Sequence, residues 1–68
     1  MRDLLDRLVE EMVKGRITLD EGRRAFESRF IQHVLETTHG HVTQAAEHCG
    51  VHRNTLARKI EEYRIKVR

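Results

Sequence analysis

At 68 residues the chain suffices for one domain but not for a generous core, since a domain of this size hides only about 60% of its unfolded surface; help from a partner is expected. Aromatic residues make up 4%, charged residues 35%, and proline is absent, a composition that argues against a sheet or a disordered tail and for an all-α fold. The formal net charge is +2, but residues 1–51 hold 7 Lys or Arg against 9 Asp or Glu, and residues 52–68 hold 6 against 2, so the last quarter is a basic surface of the kind that attracts polyanions.

Residues 2–14, RDLLDRLVEEMVK, place Leu4, Leu5, Leu8, Val9, Met12 and Val13 on one helical face. That face covers about half the circumference, more than one neighbouring helix can hide, and Leu5, Leu8 and Met12 follow the spacing of a coiled-coil seam. Part of it is expected to meet a second subunit. Gly15 is expected to end this helix, and Thr18 or Asp20 can cap the next, Glu21 adding negative charge to its first turn. The second helix is predicted over about 20–38, with Phe26, Phe30, Ile31, Val34 and Leu35 as its apolar set. Phe26 and Phe30 join Leu5, Leu8 and Met12 as the expected dimer interface. Arg23 and Glu27, spaced i and i+4, are expected to pair in solvent.

Gly40 is expected to stop the second helix, and Thr43 can cap a short third one, TQAAEHC, whose inward residues Ala45, Ala46 and Cys49 are all small. Gly50 supplies a sharp turn and Val51 an apolar anchor within it. The last helix then carries Leu56, Ile60 and Tyr63 inward at i, i+4 and i+7. Two short helices joined at a glycine make a helix-turn-helix. With that stripe at the back, Asn54 and Arg58 face outward, Thr55 and Lys59 flank them, and Arg53 stands at the first turn. Arg bonds guanine in a bidentate way, Asn bonds adenine, and Thr or Lys holds phosphates. Glu61 and Glu62 would repel phosphate, but they lie in later turns, where a helix entering a groove by its N-terminus is already leaving it.

Residues 40–63 resemble the helix-turn-helix of the Fis family, found in nucleoid proteins and in the C-terminal domains of enhancer-binding transcription activators. The resemblance lies in Gly40, Thr43, Ala45, Ala46, Gly50, Val51, Arg53, Thr55, Leu56, Arg58, Lys59 and Ile60, followed by Tyr63, and covers about a third of the chain directly. The preceding DEGRRAFESRFIQHVLE looks like the family's dimerisation helix. The resemblance implies a four-helix, Fis-like domain: a helical dimerisation region over 1–39, a helix-turn-helix over 40–68, and a homodimer that sets two recognition helices, residues 53–63, in neighbouring major grooves of double-stranded DNA. Arg53, Thr55, Arg58 and Lys59 match the family's DNA-contacting positions; Thr43 completes the expected DNA-facing set, and a base contact by Asn54 follows from its outward place alone. Three positions depart from the family pattern. His41 stands in place of Asn, which weakens a loop contact; His52 replaces a Ser or Asn and is expected to be a poorer cap; Arg64 replaces a Gly, so that a left-handed helix end is expected to be strained or absent. The chain begins almost at its first helix, without the arm by which Fis touches recombinases, so no stimulation of recombination is expected.

Rival readings are weaker. His33, His39, His41, His48 and His52 gather near Cys49, but their spacing fits no standard metal site; no metal or cofactor is expected, and protonation of some of these histidines is expected to raise DNA affinity on acidification. No carboxylate pair, nucleophile elbow or phosphate loop is visible, so catalysis is not expected. The alternative from another class is a helical protein-interaction module whose basic helix is incidental. A lone cysteine and the lack of a long apolar stretch suggest a cytoplasmic protein away from membranes, and the resemblance implies the nucleoid as its place there, with RNA polymerase or a larger parent activator as further partners.

Overall fold

A computed structural model describes residues 2–67, with side chains from residue 3 onward; Arg68, counted in the basic last quarter, lies outside the described residues. Four helices follow in order: α1 (Arg2–Lys14), α2 (Leu19–Thr37), α3 (Val42–Cys49) and α4 (Arg53–Glu62). The expected all-α, four-helix order is therefore observed. No helix among the described residues is long and apolar enough to cross a membrane.

The core sits at one end of the molecule. Ile31, Val34 and Leu35 of α2 meet Ala45 and Ala46 of α3 and Leu56 of α4, with Val42, Cys49, Ile60, Tyr63 and Ile65 packed around them. The two alanines are essentially inaccessible, and their small side chains let α3 lie close against its neighbours. Val51 is only partly the anchor expected of it, since 37% of it remains exposed.

Helix α1 takes no part in this core. None of its described side chains is buried, and Leu8, in the middle of its apolar face, is 52% exposed. Met12 of α1 faces Gly22 of α2, its Cε lying 3.5 Å from where a Cβ added at Gly22 would stand. The Cα radius of gyration is accordingly 13.3 Å, against about 11 Å for a compact chain of this length.

Helix starts follow local chemistry. Thr18 caps α2 in a reciprocal box, the Glu21 amide donating to Thr18 Oγ1 at 3.1 Å and the Thr18 amide donating to Glu21 Oε1 at 2.9 Å. Of the two candidate caps, Thr18 rather than Asp20 acts. Thr43 does not cap α3: the helix begins one residue earlier, His41 occupies the cap without a side-chain hydrogen bond, and Thr43 stands exposed in the first turn.

Helix ends differ from expectation in an instructive way. Each of the four closes with the paired backbone bonds of a Schellman turn whose turning residue has a positive φ: Arg16 (φ 59), His39 (φ 55), Gly50 (φ 73) and Arg64 (φ 54), with Gly40 (φ 82) following His39 in the same region. Gly15 and Gly40, expected as the stops, sit one residue before and one residue after the first two of these positions. The left-handed end at Arg64 is present, strained rather than absent, with the Ile65 amide donating to the Ile60 carbonyl at 3.0 Å. A side chain in this conformation costs about 1–2 kcal/mol, part of which a glycine returns as unfolded-state entropy. We expect His39→Gly to stabilise the fold by roughly 0.5–1 kcal/mol, and Arg64→Gly likewise. Each would raise the melting temperature by a few degrees in a thermal melt followed by circular dichroism; a fall would mean that the side chain's own contacts outweigh the strain.

Candidate nucleic-acid interface

Helices α3 and α4 are joined by Gly50, Val51 and His52. His52, expected to be a poor cap, does cap α4: its Nδ1 accepts from the Asn54 amide at 3.0 Å. The bond requires an unprotonated Nδ1, so the imidazole here acts as Ser or Asn would.

Beyond the cap, Leu56 is buried, and Asn54 and Arg58 stand on the opposite side of α4, exposed. Arg53 is also exposed and Thr55 half-buried at the flank. None of the ion pairs among the described residues involves Arg53 or Arg58. The structure thus brings Arg53, Asn54, Thr55 and Arg58 together around the first turns of one helix, with Thr43 exposed on the neighbouring α3. Unpaired guanidinium groups beside a helix N-terminus, whose free amides add positive partial charge, suit a phosphate-lined groove.

Lys59 is placed differently from its expected outward flank. At 100° per residue it lies about 60° from Leu56, close enough to the buried stripe that its stem runs toward α2. Its Nζ donates to Glu27 Oε1 at 2.8 Å, and Tyr63 Oη donates to the same oxygen at 2.7 Å. Arg23 reaches the other carboxylate oxygen at 3.5 Å, but its closer partner is Asp20, at 2.7 Å. The expected Arg23–Glu27 pair therefore forms as the weaker of two contacts.

A second tie runs parallel to the first. Arg24 donates to Glu62 Oε2 at 2.6 Å and lies over the Tyr63 ring, 5.3 Å from its centroid. This draws Glu62 back onto α2 and leaves Glu61 as the carboxylate of the last turn with no ion pair among the described residues. Glu27 was expected only as a partner of Arg23, and Arg24 was not anticipated at all. Their partners lie 32 to 38 positions away, and no local spacing announces such pairs.

The hydrogen bonds from Lys59 and then Tyr63 hold the Glu27 carboxyl below its ordinary range, while the bond to Glu27 raises Lys59 and Tyr63 above theirs. A carboxylate depressed in the folded state adds stability above its unfolded pKa and loses it as pH falls through the folded one. An ammonium raised in the folded state adds stability that is lost only as pH rises past its unfolded value. The tie is therefore fully formed between about pH 5 and pH 10. We expect wild type to melt above Glu27→Gln at pH 7 and the two to converge as pH falls below 4; equal melting temperatures at pH 7 would show the tie to be worthless.

The residues expected to meet a second subunit lie close together on one exposed apolar face. Leu5, Leu8, Met12 and Phe26 line one apolar groove with Val9, Ile17 and Ala25, and Phe30 continues it toward α3, its ring 5.6 Å from that of Phe26. Phe26 is 58% exposed. Among the described residues no three His, Cys, Asp or Glu side chains converge to hold a metal ion, and Cys49 is a half-buried free thiol raised by desolvation.

Comparison with curated proteins and with solved structures gives no match. Comparison with protein families gives one, over residues 22–63, to the family described as bacterial regulatory protein, Fis family. The match spans most of α2 together with all of the helix-turn-helix, and this chain belongs to that family of DNA-binding regulators.

Proposed function

We propose that this chain is a sequence-specific, DNA-binding transcriptional regulator that acts as a homodimer, with no catalytic activity of its own. Residues 1–39 form the dimerisation region and residues 40–68 the reading head, α4 entering the major groove of double-stranded DNA by its N-terminus. Arg58 and Asn54 contact base edges, Arg53 and Thr55 fix the helix on the backbone, and Thr43 of α3 meets a flanking phosphate. The observation that carries the reading is the two-sided character of α4: Asn54 and Arg58 stand free in solvent, while the back of the helix is tied to α2 through Leu56, Lys59 and Tyr63. A rigidly held helix with unengaged Arg and Asn side chains is what direct readout requires.

Dimerisation is supported by α1, which buries none of its described side chains in the single chain. An apolar face of that size calls for a partner, and a second copy supplies the two-fold symmetry that paired half-sites demand. The place of action is the nucleoid in the cytoplasm, and RNA polymerase, or a larger activator carrying this domain, is the protein partner that such a regulator serves.

The test is a titration of labelled random duplex DNA at several salt concentrations, with sedimentation to fix the mass. A steep linear fall of log affinity with log salt together with a dimer mass supports the reading. No binding at low salt overturns it and favours a module that uses the apolar groove for a protein partner.

A further inference from the structure

We propose that Glu27 withholds Lys59 from DNA, so that a carboxylate on α2 limits the ionic footprint of the recognition helix. The inference rests on the DNA-binding reading above and departs from what the resemblance implies for Lys59, namely a phosphate contact.

Lys59 and Glu27 meet at 2.8 Å with side chains only 26% and 27% exposed, unlike the exposed Arg53 and Arg58, which have no acidic partner among the described residues. Tyr63 donates to the same Glu27 oxygen, which fixes the carboxylate and keeps it aimed at Lys59. A phosphate gains from an exposed cation by releasing a condensed counterion. Lys59 already has its counterion in the form of Glu27. Moving the ammonium to DNA would exchange one anion for another and leave Glu27 with only the longer Arg23 contact and the Tyr63 hydroxyl, so little is released and little is gained.

The consequence concerns selectivity. Phosphate contacts strengthen binding to every sequence alike, while base contacts discriminate. By keeping Lys59 out of the phosphate count, Glu27 holds down non-specific affinity and leaves the outcome to Asn54 and Arg58. Glu27 is thus a positioning residue that acts through Lys59 without touching DNA.

The test is the slope of log affinity against log salt on random duplex DNA, measured for the full chain as wild type, Lys59→Gln, Glu27→Gln and the double variant. Lys59→Gln is expected to keep the wild-type slope. Glu27→Gln is expected to bind more tightly at low salt with a slope steeper by about 0.9 per subunit, and the double variant to return to the wild-type slope. A purely structural role for Glu27 would not produce a gain that depends on Lys59. If Lys59→Gln alone is shallower by about 0.9 per subunit and Glu27→Gln is not steeper, Lys59 is already on phosphate and the proposal is overturned. Should Glu27→Gln fail to fold, Lys59→Met decides, an unchanged slope supporting the proposal and a shallower one sinking it. A wild type with no salt-dependent binding would overturn the DNA reading and this inference together, whereas steep wild-type binding with a shallower Lys59→Gln overturns the role of Glu27 alone.

Discussion

Arg58→Ala is expected to weaken binding to a preferred duplex site by about 30-fold to 10⁴-fold while leaving the melting temperature almost unchanged. The magnitude follows from the proposed bidentate guanine contact, about 1–3 kcal/mol, lost at both heads of the proposed dimer, at about 1.4 kcal/mol per factor of ten. The indifference of the fold follows from the position. Arg58 lies opposite the buried Leu56, is exposed, and joins no ion pair among the described residues, and surface substitutions of that kind usually change stability by less than about 0.5 kcal/mol. Affinity measured at one fixed salt concentration, beside a thermal melt of the same sample, checks both halves. Unchanged affinity would remove the carrying observation of the functional reading and leave the helical interaction module as the better account.

The fold was legible where physics is local. The apolar positions of α2 and α4 recur at helical spacing, Thr18 and Glu21 spell out a capping box, and Ala45, Ala46 and Gly50 sit at the intervals a close-packed helix-turn-helix requires. Gly15 does follow the last residue of α1, and Gly40 does take a positive φ after α2, but the turning residues were not legible, because a Schellman turn is a property of backbone bonding and tolerates Arg16, His39 and Arg64 in a left-handed conformation that propensity assigns to glycine. His52 misled for a related reason: imidazole is a rare cap by frequency, yet its Nδ1 is a competent acceptor once the turn aims it at Asn54. On the candidate site, Asn54 and Arg58 could be placed outward by counting from Leu56. Lys59 could not be placed correctly without its partner. At about 60° from the buried stripe it can turn either way, and what decides is Glu27, a whole helix-turn-helix away in sequence.

Leu8→Glu should convert the proposed dimer to a monomer without unfolding the reading head. Leu8 lies at the centre of an apolar groove with Leu5, Met12 and Phe26 and is half exposed in the single chain, so the substitution asks nothing of the core, which is built from α2, α3 and α4 alone. In the dimer it removes one leucine contact and buries one carboxylate on each side of the two-fold axis. Together these cost on the order of 4 kcal/mol per dimer, about a thousandfold in the dimerisation constant. Sedimentation at micromolar concentration would then report half the mass, with the helical circular dichroism of α2 to α4 retained. DNA affinity should fall as well, since two linked heads on one duplex gain from the effective concentration of the second, and a single head keeps only its own contacts. The two substitutions separate the two halves of the molecule: Arg58→Ala loses DNA and keeps the dimer, whereas Leu8→Glu loses the dimer and, through it, DNA. A Leu8→Glu chain that retained the dimer mass would place the subunit contact away from α1, on the exposed rings of Phe26 and Phe30, and Phe26→Ala would then be the variant that halves the mass.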